Sequence, residues 1–382
     1  MVEWKTIGEI CSNVFAGGTP STKREDYYDG DIPWIRSGEI DFNVITKAER
    51  NITKDGYNNS SAKMIRKGSV VMAMTGATVA KSAVVEIETT ANQSVCALET
   101  DEAIVNYKYL YYTLANNYFG IKSSAQGALT SLNLAMIKQI EVPVPSMVEQ
   151  RRIVEILNTF TSCIDNLKQQ IVQRRKQYEY YRDQLLDLEG KEGVVIVPLR
   201  EIVKSYCTGA TPNKGHLEYY ESGTIPWLRT QDVKFNEIYE IYSFVTEEAV
   251  AKTGVKWIPS NCVIVAISGA TAGRCAINKI PTTTNQHCLN LEINPKKALY
   301  KYVYYCVYNA YSDMVSRKQG ARGDLNSSII LGITIPLPSL SEQQRILDIL
   351  DKFETSIANL EAQLSQREKQ YEYYRNKLLT FE

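Results

Sequence analysis

Histidine is nearly absent: His216 and His287 are the only two in 382 residues. That argues against a histidine-rich metal centre and leaves no candidate Ser/His/Asp or Cys/His constellation. The eight cysteines, at 11, 96, 163, 207, 262, 275, 288 and 306, contain no CxxC pair. Scattered in this way they read as reduced, mostly buried thiols of a cytoplasmic protein, not as a disulfide framework or a zinc site. No apolar run reaches the roughly 18 residues of a membrane span. The N-terminal MVEWKTIGEI lacks the basic-then-apolar order of a secretory signal. Excess charge is missing too, with 43 basic residues against 43 acidic ones, so the chain as a whole advertises no polyanionic partner. There is no GxxxxGK[ST] loop, no GxGxxG after a strand and no HExxH. The Asn/Asp-Pro-Pro-aromatic motif that amino-methyltransferases use at their target base is also absent. These gaps imply a chain that does no covalent chemistry of its own.

What the sequence does contain is itself, twice. GGTP at Gly17–Pro20 returns as GATP at Gly209–Pro212, offset by 192 residues, and one inserted residue makes the offset 193 thereafter. IPWIR (Ile32–Arg36) answers IPWLR (Ile225–Arg229), and TGAT (Thr75–Thr78) answers SGAT (Ser268–Thr271). Asn92-Gln93 answers Asn285-Gln286. A QG…LN pair recurs (Gln126, Gly127, Leu132, Asn133; Gln319, Gly320, Leu325, Asn326), and VPVP then EQ becomes IPLP then EQ. So many matches in one register establish an internal duplication. The copies diverge most around residues 44–66 against 237–259.

Each half divides again. Residues 1–146 and 191–338 mix short β-rich runs with Gly, Asn and Pro turns and one Tyr-rich helix, which predicts two mixed α/β domains. The Tyr-rich helix, about 105–120 in the first half, reads as packing, not as a base-stacking platform. Residues 147–190 and 339–382 predict long helices. Their apolar positions step by 4, 3, 4, 3: Ile153, Leu157, Phe160, Ile164, Leu167, Ile171 in the first, and Ile346, Leu350, Phe353, Ile357, Leu360, Leu364 in the second. Such a heptad stripe demands a partner helix. The simplest partner is the other copy, paired antiparallel, with the Tyr-rich tail of each helix beside the Ile/Leu start of its mate. Arg174 and Arg367 recur at one seam position and call for a partner there, such as a glutamate of the facing helix.

The duplicated motifs offer binding chemistry. Arg36 with Ser37, and Arg229 with Thr230 and Gln231, follow a tryptophan; arginine beside short polar side chains suits base edges and phosphates. The bland alternative is a buried Trp with its arginine paired to local carboxylates. The [ST]GAT turns supply Thr75, Thr78 and Thr271, followed by the bases Lys81 and Arg274, and could cradle phosphate or simply turn the chain. Thr19 and Thr211 sit in proline-fixed loops.

The ordered set GxTP, PWIR, GAT, NQ, QGxxxxLN, then xPxPxxxEQxxIxxxL opening a long helix, all written twice, resembles the specificity subunit of type I restriction-modification systems over essentially the whole chain. The resemblance implies an α+β fold with two target-recognition domains (1–146 and 191–338) and an antiparallel coiled coil from the two long helices (147–190 and 339–382). Each domain would read one half of a bipartite double-stranded DNA target. The coiled coil would set the spacing and dock two modification (methyltransferase) subunits, joined by restriction (motor-nuclease) subunits. S-adenosylmethionine, ATP and magnesium would belong to those partners. Two other classes stay open on the residues alone: a self-sufficient DNA methyltransferase or nuclease with an unrecognised centre, and a coiled-coil scaffold that binds only protein.

Overall fold

Two sheets that match strand for strand carry the duplication into three dimensions. The computed structural model describes residues 2–125, 131–317 and 324–381. The chain divides into two units, Met1–Gln169 with Glu361–Glu382, and Gln170–Leu360. In the first unit a five-stranded sheet runs in the order Cys11–Ala16, Val95–Thr100, Ser69–Ala73, Ser82–Val85, Val44–Ile45, and only the last pairing is parallel. Arg50–Ile52, Tyr28–Ile35 and Thr90–Ala91 form a second, three-stranded sheet. The second unit repeats the first sheet as Val203–Thr208, Cys288–Ile293, Val263–Ala266, Cys275–Asn278, Asn236–Ile238. Its second sheet gains a strand: Phe244–Val245, Ile225–Leu228, Thr282–Thr284, Trp257–Ile258.

The central strands are buried along their whole length, as VVMA and VIVA runs require when both faces are covered. One covering element is the Tyr-rich helix, Tyr107–Asn116 in the first unit and Tyr300–Asn309 in the second. Tyr109 and Tyr302 are fully buried, and each donates its hydroxyl to a proline carbonyl, of Pro143 and Pro336. The packing expectation for this helix therefore holds.

Two forty-residue helices follow the globular domains, α1 at Met147–Leu186 and α2 at Leu340–Leu379. Neither contains Pro or Gly. A serine starts each one: the Ser146 hydroxyl accepts from the Glu149 N–H and the Ser339 hydroxyl from the Glu342 N–H. Those glutamates clamp Arg152 and Arg345 and lie below the ordinary carboxylate range because of these hydrogen bonds.

Each unit holds a stretch of both helices, so the pairing is visible within each. In the first unit Phe160 stacks on Tyr374, 5.4 Å between ring centres, while Lys168 reaches Glu368 at 3.4 Å. In the second, Tyr181 stacks on Phe353 at 5.5 Å and the Tyr178 hydroxyl meets Glu354. Numbers rise along α1 as they fall along α2, so the helices run antiparallel, with the tyrosine tail of each against the start of the other. Ile153, Leu157, Ile164, Ile171, Ile346 and Leu350 are buried, and the remaining seam positions are half-buried. The seam arginines differ from the glutamate pairing suggested by their position. Arg174 lies over the Phe353 ring and Arg367 over Phe160, each 5.8 Å from the centroid. A planar guanidinium on an aromatic face keeps its edge hydrated, which removes the desolvation cost that a buried ion pair would incur.

Candidate nucleic-acid interface

The motifs that repeat in sequence converge in space, once in each unit. The tryptophan of IPW[IL]R is the post. Trp34 is buried and its indole N–H donates to the Gly18 carbonyl; Trp227 does the same to Ala210, both at 3.0 Å. This confirms the core reading of the tryptophans and fixes the [GA]TP loop against their strand. Gly17 and Gly209 are needed because a Cβ there would fall 2.3 Å from the Ala91 carbonyl oxygen and 1.8 Å from that of Thr284.

The NQ turn lies on the same strand, with the Asn92 N–H bonded to the Ile35 carbonyl and the Asn285 N–H to that of Leu228. Their side chains hold the turn, accepting from the N–H groups of Ser94 and His287. Gln93 and Gln286 are thereby turned toward the proline loops, where they accept from the Thr19 and Thr211 hydroxyls. The [ST]GAT segments are short 3-10 turns, Gly76–Thr78 and Gly269–Thr271, and their glycines need positive φ, 80° and 73°. In the first unit the Thr78 hydroxyl donates to the Ser37 carbonyl at 2.8 Å, tying GAT to PWIR. The LN pair docks here as well: the Leu132 N–H donates to Met74 and the Leu325 N–H to Ile267. Asn133 and Asn326 cap the helices Leu134–Lys138 and Ser327–Leu331. Gln126, Gly127, Gln319 and Gly320 lie outside the described residues.

All twelve sequence-derived candidates fall on these two patches. Thr75, Thr230, Gln231 and Thr271 have no side-chain hydrogen bond among the described residues and stand open or half-open at the turns. Arg36 and Arg229 each begin a 3-10 turn whose third residue, Glu39 or Asp232, accepts the arginine's own N–H. The two guanidiniums then part company. Arg36 pairs with Glu39 and Glu49, the local-carboxylate alternative; Arg229 has no carboxylate within 4.0 Å among the described residues. Lys81 is held by Asp41. Both arginines keep a buried Nε with no hydrogen-bond partner. Sequence reasoning missed Gln93 and Gln286 as site residues although their dipeptide stood in the repeat. It also missed Asp41 and Glu49, because their approach depends on strand pairings remote in sequence.

No group of three or more potential metal ligands gathers among the described residues, and none of their helices is long and apolar enough to cross a membrane. What the fold and the doubled patch define is a two-domain recognition protein on a paired-helix frame. The family model for the type I restriction modification DNA specificity domain matches it twice, at residues 1–174 and 191–368. The specificity subunit of the Escherichia coli type I restriction enzyme EcoR124I/EcoR124II is 32% identical over 405 residues, covering 100% of this chain and 94% of that protein. The MjaIX specificity subunit of Methanocaldococcus jannaschii is 26% identical over 300 residues, covering 72% and 68%. Among solved structures, the type I S subunit of M. genitalium superposes with a TM-score of 0.60 at 17% identity over 100% and 97% of the two chains. The HsdS subunit of Thermoanaerobacter tengcongensis superposes at 0.57 with 17% identity over 99% and 96%. The chain belongs to the type I restriction-modification DNA specificity family.

Proposed function

We propose that the chain reads a bipartite, asymmetric duplex DNA target, one half-site per globular domain, for a methylating and restricting complex. The observation that carries this is the pairing of sameness with difference. The motif patches have the same skeleton in both units, as a shared grip on the DNA backbone requires. The elements beside them keep their places, with Val44–Ile45, Arg50–Ile52 and the helix Lys54–Asn58 of the first domain answered by Asn236–Ile238, Phe244–Val245 and the helix Glu247–Lys252. Their side chains differ, the first carrying Thr46, Glu49, Asn51 and Met64. At the corresponding places the second exposes Tyr239, Tyr242, Phe244 and Trp257. Unlike surfaces on a common frame suit two unlike half-sites.

In this reading two modification subunits dock on the paired helices and restriction subunits join them, in the cytoplasm. S-adenosylmethionine, ATP and magnesium are bound by those partners, and this chain supplies recognition alone. The test is methylation-sensitive sequencing of host DNA with and without the gene. One bipartite motif should lose its modification on deletion and regain it on complementation. A methylome indifferent to the deletion would refute the proposal.

A further inference from the structure

The two patches share a skeleton but not the company kept by their basic side chains. Across the offset of 193, Asp41 corresponds to Lys234, and Glu49 corresponds to Tyr242. Strand register places both pairs alike. Val44 faces Val84 in the first unit and Asn236 faces Ala276 in the second, which puts Asp41 level with Lys81 and Lys234 level with Arg274. Trp34 faces Arg50 and Pro226 faces Phe244, which puts Glu49 beside Arg36 and Tyr242 beside Arg229. In the first unit the result is two ion pairs, Arg36–Glu49 and Lys81–Asp41. In the second, neither Arg229 nor Arg274 has a carboxylate within 4.0 Å among the described residues. Acidic residues also enter the second half, among them Glu240 at the place of Lys47 and Asp324 at that of Ser131. These two are engaged by the Tyr242 and Ser268 hydroxyls. The whole domains lean the same way: residues 1–146 carry 14 basic and 16 acidic side chains, residues 190–338 carry 16 and 12.

We infer that the two domains hold DNA unequally: Arg229 and Arg274 of the second grip phosphate directly, whereas in the first Asp41 and Glu49 compete with phosphate for Lys81 and Arg36. The inference rests on the proposed reading that both patches face duplex DNA. A phosphate arriving at the second domain meets open donors and releases counterions. At the first it must displace a carboxylate, and the exchange of one anion for another returns little free energy. The second domain then supplies most of the salt-sensitive affinity. The first engages when its neighbouring contacts fit well enough to offset the exchange, which makes it the more discriminating of the two.

The experiment is a fluorescence-anisotropy titration of the full chain with a labelled duplex of arbitrary sequence at several salt concentrations. Removing Arg229 and Arg274 together (R229A with R274A) should flatten the slope of log K against log salt by roughly 2, at about 0.9 per lost phosphate contact. R36A with K81A should change it by well under 1. The reciprocal pair D41K with E49Y should steepen the slope and tighten binding, a gain that misfolding cannot mimic. Equal flattening by the two alanine pairs would overturn the inequality and leave DNA binding standing. Absence of any salt-dependent binding by the unaltered chain would overturn the DNA-reading proposal and this inference with it.

Discussion

Arg36 and Arg229 each bury a guanidinium Nε with no hydrogen-bond partner among the described residues, although that of Arg36 lies 3.6 Å from a Glu39 carboxylate oxygen. At Arg229, with no carboxylate within 4.0 Å among the described residues, an orphaned donor of this kind costs about 1–3 kcal/mol. A ligand oxygen at the patch would satisfy it. The thiols are the opposite case, groups kept from acting. Cys11, Cys96 and Cys262 are pushed up to about 12, chiefly by burial, which disfavours the thiolate. At pH 8 roughly one molecule in ten thousand then presents the reactive anion at each of these sites. Cys163, on the outer face of α1, is exposed. Brief treatment of the native protein with iodoacetamide at pH 8 should therefore modify Cys163 first. Peptide mass mapping checks this, and labelling of Cys96 at a comparable rate would contradict the burial argument.

The elements join through two glutamines whose dipeptide, EQ, repeats in the sequence. Gln150 is fully buried; its amide donates to the Ile104 and Pro145 carbonyls and its carbonyl accepts from the Asn106 N–H. Gln343 repeats the arrangement with Lys297, Pro338 and Leu299. One side chain thus ties the start of each long helix to the loop entering the Tyr-rich helix. Replacing Gln150 by Ala strands two carbonyls and an N–H in the interior, so the first unit should lose on the order of 3 kcal/mol. Urea unfolding followed by far-ultraviolet dichroism measures it; a loss below about 0.5 kcal/mol would show that the bonds are replaceable. The repetition of EQ was plain in the sequence, but its three partners lie 5 to 46 residues away and only folding reveals them. The same limit explains the rest of the comparison. Heptad steps are local and fix the need for a partner, so the seam residues and the antiparallel pairing were legible. Whether Arg174 meets a glutamate or the Phe353 ring depends on the facing helix's register, which no local pattern encodes. The motif set located both patches; Asp41 and Glu49 stayed hidden because strand pairing, parallel for Asp41 and antiparallel for Glu49, brings them in.

At the scale of the whole molecule, the paired helices are the part whose length is free to vary without touching either patch. Three heptads, 21 residues, add about 31 Å to a helix and preserve the seam's phase. Placed after Gln169 in α1 and matched before Glu361 in α2, they enter where one unit gives way to the other. Since every inserted a and d position meets a partner, the matched variant should fold. Inserted in α1 alone, they leave a seam with nothing opposite, and that variant should lose cooperative unfolding. If the helices set the separation of the two half-sites, the matched variant selects duplexes whose spacer is longer by about nine base pairs, given ~34–36 Å per DNA turn. Selection from a library of duplexes with randomised half-sites and varied spacer, followed by sequencing, measures this directly. A folded matched variant that still chose the original spacer would mean that the domains, and not the helices, decide the distance.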